Sequence, residues 1–75
     1  MFSIVLKSLR VEFNLTQTEL GTILHTSQRA VSHWESGERF PDEFMLNLIA
    51  DYFEVSVDYL LGRTPIRNIY KNKDR

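Results

Sequence analysis

Apolar residues recur along this chain at intervals of three and four, the spacing that lays one stripe of a helix against a core. Over residues 3 to 13, Val5 or Leu6, Leu9 and Phe13 share such a stripe. Lys7, Arg10 and Glu12 lie off it, and Asn14 ends the helix. A second helix opens at Thr16, where Thr16 and Glu19 have the spacing of a capping box and Leu15 and Leu20 that of a hydrophobic staple. A third starts at Ser27, a good N-cap, turns Ala30, Val31 and Trp34 inward, and stops at Gly37. Pro41 then excludes continued helix, and the acidic Asp42 and Glu43 suit the first turn of a fourth. Leu46, Ile49, Ala50 and Phe53 fall at i, i+3, i+4 and i+7 on that helix, whose other flanks carry Phe44, Met45, Leu48 and Tyr52. Ser56 caps a fifth helix, with Val55 and Leu60 as a second staple and Gly62 as its stop.

No segment alternates long enough to read as a strand, although Ile4-Val5-Leu6 and Val55-Ser56-Val57 have weak β-propensity. The expected fold is therefore all-α, a compact five-helix domain. Only about three residues separate the second helix from the third, the spacing of a helix-turn-helix, whose second helix lies in a DNA major groove. Residues 1 to 62 form the domain in this reading. Residues 63 to 75 form a basic tail, either flexible or associated with a dimer, in which Ile66, Ile69 and Tyr70 share a helical spacing.

Composition narrows the class. Seventy-five residues with 43% hydrophobic content make one small domain, near the size at which a single core becomes marginal. With no cysteine, neither disulfides nor a thiolate metal site supplement that core, and oligomerisation becomes the natural source of extra stability. There is no apolar run of membrane-spanning length and no signal-peptide pattern at the start, so a cytoplasmic protein is expected. Net charge is −1, but unevenly spread: residues 41 to 62 hold five acidic groups and no basic one, while residues 63 to 75 hold five basic and one acidic. An acidic region turned away from DNA is compatible with binding, at modest non-specific affinity.

Chemistry concentrates on the third helix. Gln28 and Arg29 occupy its first two positions, and Ser32 and His33 follow one turn later. Glutamine matches adenine N6/N7 and arginine matches guanine O6/N7, so Gln28 and Arg29 are the first candidates for base contacts, with Ser32 and His33 behind them. Gln17, Thr26, Ser27 and Arg39 are candidates for phosphate contacts. His25 falls in the inter-helix turn, where a left-handed backbone is expected and a structural role outweighs a chemical one. The two histidines are eight residues apart with no acidic cluster nearby, so no metal or other cofactor is expected. No nucleophile-elbow, phosphate-loop or paired-carboxylate spacing organises a catalytic group, and the chain does not read as an enzyme.

Four stretches together make the chain resemble the phage repressor and Cro-like class of helix-turn-helix domains, the Xre family, over about residues 5 to 62. They are Leu6 to Arg10, Leu15 to Leu20, Ser27 to Gly37 and Val55 to Gly62. The resemblance implies a lambda-repressor-like domain of five helices, operator recognition by the third, and two-fold symmetric dimers on inverted half-sites. By position, Gln17 looks like a phosphate contact, and Gln28, Arg29, Ser32 and His33 look like the groove-facing set. Arg10 and Glu35 resemble the family's structural ion pair. Two departures stand out. His25 occupies a turn position that is often glycine, which strains the turn. Gly21 occupies a second-helix position that is often alanine, at a cost of up to about 1 kcal/mol.

The function expected from these readings is a sequence-specific DNA-binding regulator, a repressor that binds double-stranded DNA as a homodimer, with no small-molecule ligand and no membrane partner. Leu48, Tyr52, Ile66, Ile69 and Tyr70 are the dimer candidates. The alternative is an antitoxin-like or other protein-interaction module built on the same scaffold.

Overall fold

The computed structural model describes residues 1–67. Its helices are α1 (Phe2–Glu12), α2 (Gln17–Ile23), α3 (Gln28–Ser36), α4 (Glu43–Phe53) and α5 (Val57–Leu60), and no strand occurs among the described residues. The start of each helix after the first is set by one side chain. Thr16, Ser27, Asp42 and Ser56 accept hydrogen bonds from the backbone N–H groups of Glu19, Ala30, Met45 and Tyr59, satisfying donors that a helix terminus otherwise leaves open. At Thr16 the capping box is complete, because Glu19 Oε1 also accepts from the Thr16 N–H at 2.8 Å. Gly37, in the left-handed region at φ 85°, closes α3.

The core draws on every helix. Leu6, Leu20, Val31, Ile49 and Leu60 have no exposed surface, and α4 buries Leu46, Ile49, Ala50 and Phe53 as its spacing predicts. The stripe on α1 differs from the expected one. It runs through Phe2, Leu6 and Leu9, with Val5 half-buried, and Phe13 is left 40% exposed. The helix ends at Glu12 and Asn14 turns the chain with φ 59°, so Phe13 caps the last turn at the rim of the core. Its ring packs edge-on against Phe53 at 4.9 Å and lies tilted to Tyr52 at 6.1 Å.

His25 takes the expected left-handed backbone, at φ 59°, and Glu54 does the same at the end of α4, at φ 57°. Each conformation costs a side-chain-bearing residue on the order of 1 kcal/mol relative to glycine. Gly21 is more than a weak helix former. A Cβ placed there lies 3.0 Å from the carbonyl carbon and oxygen of Ser27 and 3.1 Å from the Gln28 nitrogen, so its absence lets α2 approach the N-terminus of α3. The turn has little slack, because the Thr26 N–H donates to the Gly21 carbonyl at 2.7 Å. Gly21→Ala is therefore expected to gain less than the ~1 kcal/mol that helix propensity alone offers. Its thermal midpoint should stay within about 4 °C of the parent; a rise well beyond that would mean that the turn yields freely.

The first part of the basic tail lies on the domain. Arg67 donates twice to the Glu12 carboxylate, at 2.9 and 2.7 Å, its guanidinium lies 5.4 Å from the Tyr59 ring centroid, and its carbonyl accepts from the Ser56 N–H. The Arg67 hydrogen bonds hold the Glu12 carboxyl below its ordinary value. Of the dimer candidates, Leu48 is half-buried against the core, while Tyr52 and Ile66 are 37% and 55% exposed. Ile69 and Tyr70 lie outside the described residues.

Candidate nucleic-acid interface

The orientation of α3 follows from what it buries. Val31 and Trp34 enter the core, Ala30 packs partly against it, and α3 rests on both α1 and α2. Gln28 and Arg29 are left exposed at the start of the helix, with Ser32 and His33 half-exposed one turn on. The first amides of α3 have no acceptor within the helix, so this end offers N–H donors and the positive end of the helix dipole. Ser27 spends one lone pair on the Ala30 N–H at 3.0 Å and keeps its hydroxyl hydrogen for another acceptor. Thr26, half-buried, stands beside it in the turn.

A partly buried ion pair holds α3 near its C-terminal end. Arg10 Nε donates to Glu35 Oε2 at 2.6 Å and Nη2 to Oε1 at 3.1 Å, while Nη1 donates to the Leu15 carbonyl at 2.7 Å. The side chains are 13% and 5% exposed, and the hydrogen bond to Glu35 raises the Arg10 pKa further. The expected Arg10–Glu35 pair is thus present, and it ties α1 to α3. Gln17 extends it: Gln17 Nε2 donates to Glu35 Oε1 at 3.1 Å, and Gln17 Oε1 accepts from Gln28 Nε2 at 2.7 Å. Gln17 and Gln28 each take the first position of their helix, the one regularity in the sequence that hints at this contact.

Beyond α3 the chain folds back, with the Arg39 N–H donating to the His33 carbonyl at 3.2 Å. Ser27, Arg29, His33 and Arg39 then share a cleft with Phe40, Pro41, Asp42 and Phe44. The acidic stretch therefore does not lie wholly apart from α3, because Asp42 stands in this cleft as the cap of α4. Glu38 is also close, 3.6 Å from His33 Nε2 and accepting from Ser36 Oγ at 3.3 Å. Phe40 and Phe44, 60% and 71% exposed, are the residues beside Arg29 that pattern alone does not single out. Among the described residues, no group of His, Asp and Glu could hold a metal ion, and no helix is long and apolar enough to cross a membrane.

Known proteins resemble this chain in sequence and in fold. The HTH-type transcriptional activator BcrR of Enterococcus faecalis is 35% identical over 74 residues, which cover 99% of this chain and 36% of the relative. The chain thus spans about a third of that protein's length. Its fold matches the P22 c2 repressor, solved in complex with the synthetic operator 9T in the presence of Tl+, with a TM-score of 0.80 and 26% sequence identity over 85% of this chain and 97% of that one. Residues 6–60 match the helix-turn-helix family HTH_3. With most of its length matched, the chain belongs to that family, in its phage-repressor or Xre form.

Proposed function

We propose that this chain is the DNA-reading domain of a sequence-specific transcriptional regulator. The observation that carries this reading is the partition of α3: its apolar face is buried, and an open N-terminus is left with Gln28 and Arg29 exposed and Ser32 and His33 following. In this reading those four side chains meet base edges in the major groove, while Gln17, Thr26, Ser27 and Arg39 meet phosphates. The domain is residues 1 to 62, and residues 63 to 75 serve a homodimer through Ile66, Ile69 and Tyr70, together with Leu48 and Tyr52. Two-fold symmetry then implies a pseudo-palindromic operator. The P22 c2 repressor's complex with an operator and the activator named among the relatives both support regulation through DNA occupancy. Repression is the simpler outcome, since an occupied operator excludes polymerase without a further contact. The chain acts in the cytoplasm, with no catalytic centre or cofactor of its own.

Selection of sites from a random duplex pool tests this reading. The expected product is an inverted repeat whose half-sites lie about 34 Å apart or a multiple of that. Arg29→Ala should lose about 1–3 kcal/mol of preference at one base pair per half-site. Arg39→Ala should weaken all sequences evenly. No enrichment even at low salt would overturn the reading. It would favour the protein-interaction alternative, to which the exposed Phe40 and Phe44 beside the reading helix point.

A further inference from the structure

Helix α1 carries two apolar stripes, and only one of them meets the core. Phe2, Leu6 and Leu9 are buried, whereas Ile4 and Val11 are 67% and 56% exposed. At about 100° per residue, the exposed positions 4, 7, 8 and 11 form one strip roughly opposite the buried set. Charge is split across this strip. Lys7 lies on one flank and takes part in no salt bridge among the described residues. Glu12 lies on the other, exposed, and although both its oxygens accept from Arg67, each keeps a lone pair for a further donor. The strip is the floor of a groove that Glu35 borders from α3.

We propose that this face of α1 binds the same face of a second copy of the chain, the two helices running parallel about a two-fold axis. The positions are those of a coiled-coil heptad: Ile4 and Val11 at d, Ser8 at a, Lys7 at g and Glu12 at e. In a parallel pair Ile4, Ser8 and Val11 each meet their own counterpart, and Lys7 stands beside Glu12 of the other copy, as g and e positions do. An antiparallel pair sets Lys7 against Lys7 instead, so charge selects the parallel one. A second copy thus supplies, at matching heights, both the apolar partners and the opposite charges that the strip lacks. Three turns of helix bury far less than the roughly 800 Å² per partner of a stable interface, so the contact is weak by itself. It shares no residue with the Leu48 and Tyr52 surface of α4, and a chain that uses both faces links one dimer to the next.

The chain has no cysteine, so a single introduced thiol reports the contact by disulfide formation. Ser8→Cys puts the thiols of two copies side by side, and Thr18→Cys, on the exposed face of α2, is the control. Under mild oxidation of the full chain, Ser8→Cys should form linked dimer at least about tenfold faster than Thr18→Cys. Adding Lys7→Glu or Glu12→Lys to Ser8→Cys should each remove most of that advantage, and adding both should recover it. Loss of the Arg67 contact is common to Glu12→Lys alone and to the combination, so their difference isolates the pair between helices. Equal rates for Ser8→Cys and Thr18→Cys overturn the proposal. So does a mixture of Ile4→Cys and Val11→Cys chains that links 4 to 11 faster than either links to itself, since that marks an antiparallel pair.

Discussion

Trp34→Ala is expected to leave the domain largely unfolded at physiological temperature. Trp34 is the only tryptophan, 7% exposed, and with Val31 it forms the buried face of α3. Removing a buried aromatic ring costs about 3–5 kcal/mol, part of it for the cavity left behind. A domain of this size has about 3–10 kcal/mol to lose, so one substitution approaches the whole. Circular dichroism during heating checks the result. A cooperative transition within about 5 °C of the parent would mean that Val31 and Ala30 anchor α3 by themselves. Trp34→Phe should retain most of the stability, since it keeps an aromatic body in the same place.

Glu35→Ala is the second large effect, about 3 kcal/mol, read as a fall in thermal midpoint of about 12–24 °C. The loss comes less from a missing attraction than from what is stranded. Arg10 keeps only the Leu15 carbonyl as a partner, and Gln17 loses its acceptor. The double variant Arg10→Met with Glu35→Leu should recover most of that stability, because neither charge then has to be desolvated. If it is no more stable than Glu35→Ala, the pair contributes through geometry that apolar packing cannot replace. Trp34 and Glu35 are neighbours on one helix, so their effects should not add simply.

Both predictions concern α3, and the helix itself was legible from its residues. Ser27 as cap, Gly37 as stop, and the inward set of Val31 and Trp34 all depend on contacts within a turn or two of the chain. The same holds for Thr16 with Glu19, for Ser56, for the left-handed His25, and for the four buried positions of α4. The exposure of Gln28 and Arg29 was legible for the same reason, since the face of α3 that is not buried is left to solvent. Phe13 shows where this logic stops. Its spacing fits the stripe of α1, and its N–H still bonds the Leu9 carbonyl, but as the cap of the last turn it meets Phe53 and Tyr52 at the rim of the core and stays 40% exposed.

What the sequence by itself determined is thus the order of the helices and the caps of the later ones, the greater part of the core, and the family. These rest on interactions between residues four or fewer apart and on a period that repeats. Only the tertiary structure decided that Gly21 must be small to admit the Ser27 backbone, that Asp42 shares a cleft with Arg29, and that Arg67 holds Glu12 across 55 residues of chain. It also joined Gln28 to Gln17, 11 residues away, and Gln17 to Glu35, 18 away. The physical reason is common to all of these. A cap or a stripe is settled where the chain is already close to itself, whereas the direction of a hydrogen bond between two amides depends on which third group the folded core brings against them.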